Sequence, residues 1–220
     1  MEIKGLQADT IEETPLNQNN TIEETPIDME NAAKGKKVYF YNGVFSGQKD
    51  EKERFTNYIN KYGNYKELGP ISINLENLIG NPEKALFGEE CSKARLQHMD
   101  DRNDNLDRLL KLIMKLDFGL TDTSKIDDRK NWIESRFYNL SNEATSFRVF
   151  SFWCVDEDSL IVFLIDPYHL VCSSSRKKYK NTSYEKLKNE THSIEEQWDI
   201  NDLDTIHKAD LIKKDHKFNV

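Results

Sequence analysis

The chain has 220 residues, 32% of them charged, with a mean hydropathy of −0.77, yet it carries 11 Phe, 9 Tyr and 3 Trp. That mixture excludes both uniform disorder and one compact globule from end to end. The net charge of −8 is local: residues 1–31 hold eight acids against one base, Lys4, leaving 31 acids and 30 bases over residues 32–220.

Cys91, Cys154 and Cys172 form no C-x-x-C, so neither a disulfide framework nor a zinc pattern is present. They point to a reducing, cytoplasmic setting. The longest apolar run, LIVFLI at 160–165, is strand-sized, whereas a membrane helix needs about 20 residues. No membrane partner, secretion signal, cofactor or metal is expected.

Residues 1–34 lack apolar periodicity and repeat one hexapeptide, TIEETP, at 10–15 and 21–26. Each proline drives its preceding threonine toward extended backbone, so helix is disfavoured. An acidic, disordered tether is one reading. The other is a bivalent protein-docking motif through Thr10, Ile11, Pro15, Thr21, Ile22 and Pro26, because tandem copies raise apparent affinity through effective concentration.

A globular α+β domain is expected over 35–172, with a small, mainly antiparallel sheet packed with helices. It opens with a strand around Val38–Tyr41. Gly43 and Gly47 follow, then a helix whose Phe55, Tyr58, Ile59 and Tyr62 share one face. ISINL at 71–75 reads as a short strand after the Gly69-Pro70 break. Asn81-Pro82-Glu83 is a helix start. A helix from Asp104 to Phe118 presents Leu106, Leu109, Leu110, Ile113 and Leu116 and stops at Gly119. A further helix is expected over 128–140, grouping Ile133, Phe137 and Leu140. The strongest β signal is a hairpin, SFRVFSFWCV and LIVFLIDPYHLV around a DEDS turn. Its strand 160–165 is apolar on both faces and should be covered on both sides. Residues 173–220 read as a charged, partly helical appendage, with six bases against two acids over 173–190.

Several motifs fail on spacing. VYFYNGVFSGQKD has the strand–glycine–helix context of a phosphate cradle but lacks the GK[ST] of a P-loop. DDRND at 100–104 resembles the D-D-x-x-D of isoprenoid synthases, but no second acidic motif accompanies it. As an EF-hand loop it fails too, placing Leu106 and Leu112 where glycine and glutamate belong. Cys91 and His98, if on one helix, stand about 10 Å apart along its axis, too far to share one zinc. His192 and Glu195 make only two ligands.

Asp166-Pro167-Tyr168-His169 resembles the DPYH of uracil-DNA glycosylases, where the aspartate acts on water after a strand. The family's downstream HPSPL is absent. A hairpin centred on Glu157-Asp158 sets Arg148 opposite Pro167 and Ser146 opposite His169. Arg148 and His169 are then diagonal neighbours on one face, about 7–8 Å apart, while Asp166 points to the other face unless a bulge intervenes. An arginine and a histidine so placed resemble the equipment of small metal-free ribonucleases, the histidine moving a proton and the arginine stabilising transition-state charge. The run Arg176, Lys177, Lys178, Tyr179 and Lys180 could track an RNA or DNA backbone.

With no complete active-site motif, a repeated tail and opposite charge blocks at the two ends, the leading expectation is a non-enzymatic interaction or regulatory protein. Its partner is expected to be another protein, with RNA or DNA bound through 173–190 as the alternative contact. The Lys- and Asn-rich composition suits a bacterial mobile element or phage. The alternative from a different class is a metal-free nuclease or toxin-like ribonuclease using His169 and Arg148.

Overall fold

The computed structural model describes residues 36–41, 43–59, 68–87, 95–99, 104–118, 129–139, 141–155, 157–172 and 183–198. The TIEETP repeat, Cys91 and the basic run Arg176–Lys180 lie outside the described residues.

The architecture is α+β. A five-stranded sheet has the order β1-β7-β6-β5-β4, comprising β1 (Lys37–Phe40), β4 (Arg95–His98), β5 (Trp132–Tyr138), β6 (Ala144–Cys154) and β7 (Ser159–Asp166). Only the β1–β7 pair is parallel; the other three ladders are antiparallel. Every residue of β7 is buried. Its uninterrupted Leu160–Ile165 run is what a strand covered on both faces requires.

Three expected elements differ. The ISINL segment lies inside helix α1 (Leu68–Gly80), not in a strand. Ile71, Leu75 and Leu78 are buried at i, i+4 and i+7, and Pro70 falls in the first turn, where its missing N–H costs no intrahelical bond. The segment expected as a helix over 128–140 is strand β5, entered through a 3-10 turn at Arg129–Asn131. Ile133 and Phe137 are four residues apart. That even spacing also fits one face of a strand, so their periodicity did not discriminate. The helix expected around Phe55–Tyr62 is, over its described part, a tight hairpin of β2 (Lys49–Asp50) and β3 (Phe55–Thr56). Asp50 Oδ1 accepts the Glu53 amide at 2.9 Å, and Arg54 takes the left-handed φ of 52°. A side-chain-closed turn thereby replaces the helix.

The Asn81 start holds: Asn81 Oδ1 accepts the Lys84 amide at 2.9 Å, capping α2 (Pro82–Phe87). Glu83 reaches from that helix to accept the Val38 amide of β1 at 3.3 Å. Helix α3 (Asn105–Phe118) buries Leu106, Leu109, Leu110 and Ile113 as its periodicity requires. Residues 183–198, expected in the appendage, pack on this core. Tyr184 and Leu187 of α4 (Ser183–Leu187) and Ile194 of α5 (Ile194–Trp198) are buried, and the Ile59 amide donates to His192 O at 2.8 Å.

Candidate functional site at an arginine row

Four charged residues stand in register across the sheet: Arg95 on β4, Arg136 on β5, Arg148 on β6 and Asp166 on β7. The hairpin explains the last pairing. The turn centres one residue earlier than expected, with Cys154 opposite Ser159, and the ladder then shifts by one at a bulge between Phe150 and Ser151, so Arg148 faces Asp166 and not Pro167. The expected opposite-face placement of Asp166 is thereby corrected. Ser146 still reaches that corner, donating to Pro167 O at 2.8 Å.

Arg148 is 4% exposed. Its Nε donates to Glu134 Oε1 at 3.1 Å, and its Nη1 donates to the Thr145 carbonyl and, at 2.8 Å, to that of Phe147. Glu134 offers its second oxygen to Arg136 Nη2 at 2.9 Å. One buried carboxylate thus bridges two guanidinium groups, which satisfies its lone pairs in a setting where an unpaired charge is costly. Burial lowers the pKa of Arg148, against the attraction of Glu134 and Asp166.

Asp166 is fully buried and closes a backbone cage. Oδ1 accepts the amides of Tyr168 (3.3 Å) and Leu170 (2.9 Å), and Oδ2 that of Val171 (2.7 Å). Burial pushes its pKa upward, against those amides. The carbonyls of Leu170 and Val171 accept from Arg108 of α3, so the corner is held from both sides. The DPYH likeness therefore ends at sequence: both oxygens are engaged in forming the corner. Tyr168 donates its hydroxyl to Tyr58 O at 3.1 Å.

His169 follows at a left-handed φ of 56°, half-buried. Burial and the adjacent Arg148 hold its pKa below the usual histidine value. Cys172 closes the corner, its thiol pushed far up by burial. The structure thus brings His169 and Arg148 into one electrostatic cluster, together with Glu134, Arg136 and Arg108, which sequence reasoning missed. Glu134 and Arg136 were hidden by the helical reading of their segment. Their i, i+2 spacing beside Arg148 was the available signal.

The other motifs are dispersed. Gly43 turns the chain at φ 89°, and a Cβ on Gly47 would lie 2.5 Å from the Tyr58 ring, so both glycines serve the turn after β1. The described residues after that turn form β2 and β3, not the helix a phosphate cradle needs. His98 Nδ1 contacts Lys130 O at 2.9 Å, and His192 lies 3.9 Å from Glu196 on the surface. Among the described residues no three His, Cys, Asp or Glu side chains gather as metal ligands, and no helix is long and apolar enough to cross a membrane.

Residues 44–201 match the model of the family described as Uncharacterised protein UU032. The chain belongs to that family. The UU032 match spans β2 through α5, taking in the segment beyond 172 that packs on the core. No curated protein and no solved structure matches the chain.

Proposed function

We propose that this UU032 protein acts by binding a macromolecular partner, and that the Arg148–His169 corner is architecture for that role, not a reaction centre. The observation that supports this reading is the engagement of Arg148. A guanidinium 4% exposed has its Nε committed to Glu134 and its Nη1 to two main-chain carbonyls within the fold. A phosphorane-stabilising arginine must present donors where charge develops.

The partner contacts are carried by the segments flanking the domain: a protein docks on the repeat around Thr10–Pro15 and Thr21–Pro26. Two copies eleven residues apart give a partner with two sites an intramolecular second binding step. The test is partner capture from the native host at physiological salt, followed by affinity measurement with residues 10–31 scrambled at constant composition. A loss of tenfold or more supports docking, whereas unchanged affinity leaves the repeat as a spacer and overturns its docking role.

One observation favours the nuclease alternative. His169 is half-buried, its pKa is held below the usual value, and it sits in a backbone conformation uncommon for a non-glycine residue. A neutral imidazole at neutral pH can accept a proton. RNA cleavage that requires His169 would establish this reading.

A further inference from the structure

We propose that the outer edge of β4 pairs with β4 of a second copy of this chain, joining two five-stranded sheets into one across a two-fold axis. The two edges of the sheet are finished differently. At β1 the Tyr41 amide donates inward to Val162 O, so the alternating Val38 amide points outward, where Glu83 of α2 accepts it. At β4 the Met99 amide donates inward to Trp132 O at 2.9 Å. The β4–β5 ladder runs without a register shift, and hydrogen-bonded pairs alternate along it. Gln97 therefore also bonds toward β5, while the main-chain groups of Leu96 and His98 face away. Among the described residues no hydrogen bond reaches those outward groups, and Gln97 and His98 are exposed.

The spacing of the outward groups selects the occupant. Leu96 and His98 flank Gln97, so a two-fold axis through Gln97 sets Leu96 against His98 of the second copy and His98 against its Leu96. Each is a hydrogen-bonded pair that exchanges both of its bonds. Between them Gln97 meets Gln97 in the closer, non-hydrogen-bonded position, where two carboxamides donate to and accept from each other. No ionised residue stands opposite its like in this register, since Arg95 falls opposite Met99. The strand carries no proline and no bulge of the kind that blocks an edge. Outside the acidic tail the chain is almost neutral, with 31 acids and 30 bases over residues 32–220, so these parts of two copies meet without strong repulsion.

Four residues make a short edge, so the dimer is weak and concentration-dependent. It places two repeat-bearing tails on one particle, but it stands independently of the partner reading.

Sedimentation equilibrium of the full-length protein up to about 1 mM is expected to show a monomer–dimer equilibrium. Amide exchange at Leu96 and His98 should slow as the dimer forms, while Met99 stays protected at every concentration. Gln97→Lys and Gln97→Glu, at an exposed position and checked for folding by circular dichroism, each set like charges across the axis. Each should weaken association about fivefold or more, and an equimolar mixture of the two should restore it, because opposite charges then face each other. A monomer throughout, association undiminished in both folded variants, or a mixture that associates no better than either variant overturns the proposal. A monomer whose Leu96 and His98 amides slow only when a captured partner protein is added also overturns it and assigns the edge to that partner.

Discussion

Arg148 stands directly opposite Asp166 across the β6–β7 ladder, yet the hydrogen bonds of the pair go elsewhere: Arg148 to Glu134 and to carbonyls of its own strand, Asp166 to the amides of Tyr168, Leu170 and Val171. The two charges stabilise each other through space while each organises a separate piece of backbone. One fixes the arginine row, and the other fixes the corner from which the chain continues toward its basic run.

Glu134 is the pivot of the row, so Glu134→Gln leaves Arg148 buried with a neutral partner. A loss of about 3–5 kcal/mol is expected, as for breaking a buried ion pair. Urea unfolding should show it as a lower midpoint at unchanged slope. Replacing both partners with apolar residues, Glu134→Leu with Arg148→Met, should recover most of that loss. A double variant as unstable as the single one would contradict the buried-pair account.

Asp166→Asn keeps the shape but turns one acceptor into a donor aimed at an amide. An unsatisfied buried group costs about 1–3 kcal/mol. Amide exchange at Leu170 and Val171 should accelerate more than exchange in β7, because the cage opens locally before the sheet does. Equal acceleration in both would show that Asp166 supports the whole domain and not its corner.

These side chains were unevenly legible in the sequence. The helix at 105–118 and the strand at 159–166 could be read because burial on one face or both imposes an unambiguous pattern. The β5 strand could not, because Ile133 and Phe137 satisfy helical and strand spacing alike, and its buried Glu134 and Ser135 interrupt the apolar run that a strand covered on both faces otherwise shows. The arginine row was illegible for a further reason. The centre of the turn and a one-residue bulge together set Arg148 opposite Asp166 and not Pro167, and nothing in the local composition announces the bulge. The turn at 50–54 was misread because Phe55 and Ile59 are both buried without sharing a helix.

Asp50, buried beside β3, provides a test of pH dependence. Burial by itself raises its pKa, but the Lys115 ammonium and the amides of Glu53 and Lys52 outweigh that and hold it below the ordinary carboxylate value. A depressed folded pKa contributes stability that is present above the unfolded value of about 3.9 and lost as pH falls through the folded one. Asp50→Asn should therefore cost about 1 kcal/mol at pH 7, a modest figure because Lys115 is partly exposed. That cost should shrink toward zero as the pH is lowered through the acid range. A cost independent of pH would assign the effect to packing at the turn.

The most direct measurement compares the wild-type protein with His169→Asn on a panel of single- and double-stranded RNA and DNA at neutral pH. Asparagine tolerates the left-handed backbone that His169 adopts, so the variant keeps the corner. The partner-binding account predicts intact substrates with both proteins. Cleavage by the wild type that disappears in the folded His169→Asn variant would contradict it and make the corner a catalytic site.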